Sequence, residues 1–301
     1  MTQTIAGSTI PQTVESIVQK TPVVDIHTHL YSAGFRDLLL WGIDELLNYH
    51  YLQAETFRFQ PDLAYQTFWQ MTKTEQADLI WKTLFVDHSP ISEACRGVIT
   101  VLNTLGLDTT EKDLGMIRPY FAEKPVEEFI DRVFEIANVK YVVMTNNIFD
   151  EVEYAAWQQI GSNSDRRFKG SLRVDGLVNQ YVENLPKLRQ WGYDVNEELS
   201  GNSIAEIQRF LEEWIEKTES VYVNCTFTPD FAYPDGSVRT KILEQGVLPV
   251  LEARKLGFSM MVGVYRQVNP QLQAGGDSVG KSDIRALERL AYAFPGVQFL
   301  A

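Results

Sequence analysis

TPVVDIHTHL, residues 21–30, is an apolar run of strand character that ends in Asp25, His27 and His29. A strand sends alternate side chains to opposite faces, so these three share a face. Two imidazoles and a carboxylate converging at a strand end are either hydrogen-bonded polar groups in a loop mouth or ligands of a metal. Neutral imidazoles bind zinc at about 2.0–2.1 Å, and a catalytic site keeps an open position beside about three protein ligands. The chain has only four histidines, so a carboxylate is the expected third ligand unless His50 or His88 joins. Imidazole and carboxylate suit zinc, iron, cobalt and manganese alike; a divalent metal, zinc first, is the expected cofactor.

Downstream of this strand the pattern is helical. From 35 to 132, IDELLNYHYLQAETF, LAYQTFWQMT, EQADLIWKTLFV, PISEACRGVITVLNTLGL and VEEFIDRVFEIA carry apolar residues three and four apart. Pro90 suits a first helical turn after Ser89, with His88 at the start and Ser89 as cap, and Gly106 suits a helix end. The rhythm then changes to apolar strands at 139–149, 167–175, 220–230, 258–266 and from Val297 onward. Helices are expected around 182–191, 204–217, 240–256 and 282–294. Strands alternating with helices mean an α/β protein with a parallel sheet.

Length allows two ordinary domains or one large α/β barrel; the expected fold is a (β/α)8 TIM-type barrel, one domain over 1–301 with a helical insert at 35–132. The count reaches six strands, two short of eight. The barrel is therefore expected to be incomplete, with open edges at its first and last strands.

Composition narrows the partners. Of 301 residues 45% are hydrophobic, and 27 basic against 40 acidic residues leave a net charge of −13. That balance disfavours nucleic acid or an anionic membrane as partner, and an anionic substrate would need specific arginines to overcome it locally. Cys95 and Cys225 form no CxxC pair and are expected as small buried hydrophobes. The N-terminus shows no basic start followed by an apolar core, and no run approaches the roughly 18 apolar residues of a spanning helix. A cytoplasmic protein is expected.

In parallel α/β proteins the chemistry sits where strands end. Arg173 and Asp175 end the third strand on one face. Thr228, Pro229 and Asp230 end the fourth, and Tyr265 and Arg266 end the fifth. The loop after Arg266 carries GGDSVG, which matches no phosphate-binding pattern; its Asp277-Ser278 is expected as turn chemistry. Arg173 can pair with Asp175, and Tyr51 on its amphipathic helix fits core or surface as well as a site.

In order along the chain, DIHTHL, YHY (49–51), SLRVD (171–175) and GVYRQVNPQLQAGGDSVG (263–280) resemble the uronate isomerase (glucuronate isomerase) family of the amidohydrolase superfamily. The resemblance implies a barrel of the metal-dependent hydrolase kind and a metal-assisted aldose–ketose isomerase of hexuronates, of the glucuronate/fructuronate type. It implies His27 and His29 as metal ligands, and His50 and Tyr51 as catalytic side chains reaching the substrate from the helical insert. It implies Arg173 as partner of a carboxylate or a catalytic aspartate, and Arg266 as a second anion contact. A small uronate or related sugar acid is the implied partner, and the helical insert offers a surface for a homo-oligomer.

The chain departs from the family pattern in three places. Met261 stands where the family has histidine, LQAE follows His50-Tyr51 in place of basic and aromatic residues, and the family's eighth-strand aspartate would fall beyond Ala301. The alternative function is a metal-dependent amidohydrolase-type hydrolase or decarboxylase acting on a carboxylate-bearing small molecule, because a bound metal activates water as readily as it orients a hydroxy acid.

Overall fold

In the computed structural model, residues 9–301 are described; the first eight residues, on which the reading of the N-terminus partly rests, lie outside them. The apolar runs form β1 (Val23–Thr28), β2 (Val139–Asn146), β3 (Phe168–Arg173), β4 (Ser220–Phe227), β5 (Gly257–Val262) and β8 (Gln298–Leu300). These six pair in parallel in the order β1-β2-β3-β4-β5-β8. A short antiparallel pair, β6 (Val264–Tyr265) and β7 (Ser278–Val279), stands apart from that sheet.

Burial follows position. Val142 to Asn146 are buried without a break, as a strand covered on both faces requires. At the β1 edge, Val23, Val24 and Ile26 are exposed. The sheet is curled: two strands separate β1 from β4, which in a flat sheet would be about 14 Å apart. Yet the Tyr222 hydroxyl of β4 donates to the Ile26 carbonyl of β1 at 2.5 Å. The sheet thus bends as part of a barrel wall does, with the face that carries Tyr222 turned inward.

Helices cover its outer face. Ser203–Lys217 buries Ile207, Phe210, Leu211, Trp214 and Ile215, one stripe at helical spacing. This stripe joins Trp157, Leu243 and Leu251 in the main core. Ile10–Lys20 and Glu151–Ile160 add helices beyond the expected set. Between β1 and β2 the chain is helical from Ala33–Leu38 to Val126–Ile136. That stretch has its own apolar cluster, including Leu52, Phe68, Trp81 and Leu102. Among the described residues no helix is long and apolar enough to cross a membrane.

Three local expectations change or sharpen. The fifth strand is not continuous to Arg266: Gly263 (φ +99°) breaks it, and its amide turns back to the Phe227 carbonyl at 2.9 Å. Ser92, not Ser89, caps the next helix, Glu93–Thr104, by accepting the Cys95 amide. His88 lies before that helix, with Nδ1 2.7 Å from the Thr83 carbonyl and its ring on Phe59. Gly106 (φ +77°) ends the helix as expected; the Leu107 amide reaches Leu102 and the Gly106 amide Asn103, the paired bonds of a glycine-terminated helix.

Candidate active site

Because the strands are parallel, their carboxyl ends share one rim, and the polar residues gather there. His27, one residue before the end of β1, faces inward; its Nδ1 lies 3.4 Å from the Tyr222 hydroxyl, and Thr145 Oγ1 on β2 is 3.3 Å from Nε2. His29, just past the strand, meets His27 edge-on with ring centroids 5.5 Å apart. Asp25 Oδ1 accepts the His27 amide at 3.1 Å.

Arg173 ends β3. Its Nε and Nη2 donate to Asp175 at 2.9 and 3.2 Å, and Nη2 also donates to Thr226 Oγ1 on β4 at 3.0 Å. Arg266, beyond β6, donates from Nη1 to Asp277 at 2.8 Å and from Nη2 to the same Thr226 oxygen at 3.4 Å. The two arginines expected to hold an anion therefore meet at one hydroxyl. Asp277 also accepts the Gln267 amide at 2.8 Å, so it closes the loop and pairs with Arg266 at once.

The helical segment reaches this rim through the loop between β6 and β7. Trp69 Nε1 donates to the Gln271 carbonyl at 2.8 Å, and Asn269 donates to the Tyr65 hydroxyl at 3.2 Å. Gly275 and Gly276 permit the approach. A Cβ on Gly275 would stand 3.0 Å from the His50 carbonyl, and one on Gly276 would overlap the Asn269 carbonyl. His50, first residue of the helix His50–Phe59, is thereby carried to the rim.

His29 is where these groups converge. Partial burial holds its pKa below the ordinary value, and the charges of His27, Arg173, His50 and Arg266 push in the same direction. Burial and Arg173 lower His27, against a smaller pull from Asp25. Burial lowers His50 although Asp277 opposes it. Each shift favours the neutral ring, the form that offers a nitrogen lone pair. Tyr51 is 60% exposed; it packs on His50 and Tyr49, with centroids 4.2 and 5.2 Å away, and so joins the cluster through His50.

For a metal, His27 and His29 supply two neutral nitrogen donors. Among the described residues no group of three or more His, Cys, Asp or Glu could hold an ion, so the set falls short of the three protein ligands of a catalytic zinc site.

No family model and no curated protein matches the chain. A uronate isomerase from Bacillus halodurans, solved as a crystal structure, is 46% identical over 96% of this chain and 68% of its own, with a TM-score of 0.92. The chain belongs to the uronate isomerase family. Two further crystal structures share the fold at 14% identity. A glucuronate isomerase from Caulobacter crescentus has a TM-score of 0.65 over 93% of this chain and 67% of its own. A uronate isomerase from Thermotoga maritima has a TM-score of 0.70 over 94% and 71%. In this uronate isomerase family member, Thr226 and Tyr222 are the site residues that a reading of strand ends missed. The fourth strand stops at Phe227, so its inward rim residue is Thr226, two positions before the expected Thr228. The inward alternation Tyr222, Asn224, Thr226 was the available signal.

Proposed function

We propose that this chain is an aldose–ketose isomerase of hexuronates. Family membership supports the reaction class, and the meeting of Arg173 and Arg266 at Thr226 carries the choice of a sugar acid. Arginine binds carboxylates through paired N–H groups, and two guanidiniums at one point give the substrate carboxylate a fixed seat within a protein of net charge −13. Arg173 is the rigid member, locked by Asp175; Arg266 is the exposed member on the loop.

With the carboxylate end fixed, the carbonyl end extends toward His29 and His50. Isomerisation takes the proton from C2, returns one to C1 and moves a hydroxyl proton between the two oxygens. A neutral imidazole accepts and returns protons at pH 7. In this reading His50 carries the proton between the oxygens, and the Tyr51 hydroxyl beside it relays to solvent. A divalent metal, zinc first, would be the cofactor: His27 and His29 would hold it, substrate or water would complete its shell, and it would polarise the substrate's oxygens. The two buried free thiols fit a reducing, cytoplasmic setting.

The test is the initial rate with D-glucuronate and D-galacturonate, with zinc or manganese added, against Arg173→Met and Arg266→Met. Ketose from a uronate, with KM raised in both variants, is expected. No ketose from either uronate contradicts the reading.

A further inference from the structure

Thr226 is buried, and its backbone is held on both sides. Its amide donates to both Asp175 oxygens at 3.3 Å, and its carbonyl accepts Asn179 Nδ2 at 2.7 Å. Its hydroxyl oxygen accepts from Arg173 Nη2 at 3.0 Å and from Arg266 Nη2 at 3.4 Å. A hydroxyl has two acceptor lone pairs and one proton. Both lone pairs are taken by cations, so the proton must point to a third group. Among the described residues no acceptor takes it. A neutral hydroxyl ringed by two guanidiniums, its proton aimed outward, is matched by an anionic oxygen.

We propose that Thr226 is the specificity-determining residue of the site: its oxygen sets the spacing of the two arginines, and its proton is donated to the carboxylate of the sugar acid they hold. This deepens the hexuronate reading and rests on it. The two arginines depend on Thr226 unequally. Arg173 keeps both bonds to Asp175 without it. Arg266, half exposed, keeps only Asp277 on a loop, so loss of the hydroxyl frees Arg266 first. Valine has threonine's shape without its hydroxyl, and serine keeps the hydroxyl without the methyl.

The experiment is calorimetric titration of this chain and of Thr226→Val and Thr226→Ser with D-glucuronate, alongside thermal melts of each. Thr226→Val is expected to raise Kd about 10- to 100-fold, the effect of a lost charge-assisted hydrogen bond. Thr226→Ser is expected to stay within about threefold of the parent, because the donor and acceptor persist. Equal Kd for Thr226→Val and the parent overturns the proposal. So does a Thr226→Ser as weak as Thr226→Val, which would assign the effect to the methyl group and to packing. Absence of any glucuronate binding by the parent also overturns it. Binding with the expected variant pattern but no ketose product supports Thr226 and sinks the isomerase reading alone.

Discussion

Arg173 and Asp175, two residues apart around the end of β3, form a two-bonded ion pair at 2.9 and 3.2 Å. The same carboxylate accepts the Thr226 amide, so one side chain ties β3, β4 and the arginine together. Both groups are about four-fifths buried. Asp175→Ala leaves the guanidinium without its partner and is expected to cost about 1–3 kcal/mol of stability in denaturant unfolding. An unchanged midpoint would show that the pair holds nothing in place.

The lowered pKa of His50 has a consequence with a definite sign. The unfolded chain titrates near 6.5, so just below that value it binds more protons than the folded chain. The stability from a neutral His50 is therefore fully present above pH 6.5 and is lost as pH falls through 6.5 toward the depressed folded value. Melting from pH 8 to 5 in chelator should show the parent losing more stability than His50→Gln. Comparing the two cancels the other titrating groups, and parallel curves would refute the shift.

Gly276 is expected to tolerate no side chain. A Cβ there collides with the Asn269 carbonyl, and Asp277 follows directly. Gly276→Ala should displace the loop at a cost of about 1–3 kcal/mol. Amide exchange should speed up over 266–277 while β2 to β4 stay protected. Unaltered exchange in the loop would mean that the close approach is not needed.

Glu153 is 2% exposed. Its carboxylate accepts the Tyr31 hydroxyl at 2.9 Å, Asn147 amide at 2.8 Å, Asn146 Nδ2 at 2.9 Å and Trp157 Nε1 at 3.3 Å. Burial raises its pKa even against these donors. Glu153→Gln sets an NH2 group against two of them and should cost about 2–3 kcal/mol, read by denaturant unfolding. A neutral substitution would show that the acid is already protonated at pH 7.

The parallel strands were legible because each is a short apolar run bounded by a helix of different period. His27 and His29 were legible because alternation on one strand is a local property. The Gly263 break was not, since φ > 0 at that glycine serves contacts with Phe227 and Gly280, which come from elsewhere in the chain. Nor was Thr226, whose importance lies in two arginines 53 positions before it and 40 after it. Ser89 and Ser92 both satisfy the capping preference, and only the Cys95 amide chooses between them. Likewise the curl that brings Tyr222 to Ile26 is a property of the whole sheet, not of any segment.

Isomerisation of a hexuronate at this site is read by proton NMR of D-glucuronate with the chain and zinc in D2O. Appearance of ketose signals, slower in Arg173→Met at sugar-acid concentrations below its raised KM, is the expected result. A glucuronate spectrum unchanged at long incubation, with the folded protein binding the sugar acid, would contradict it.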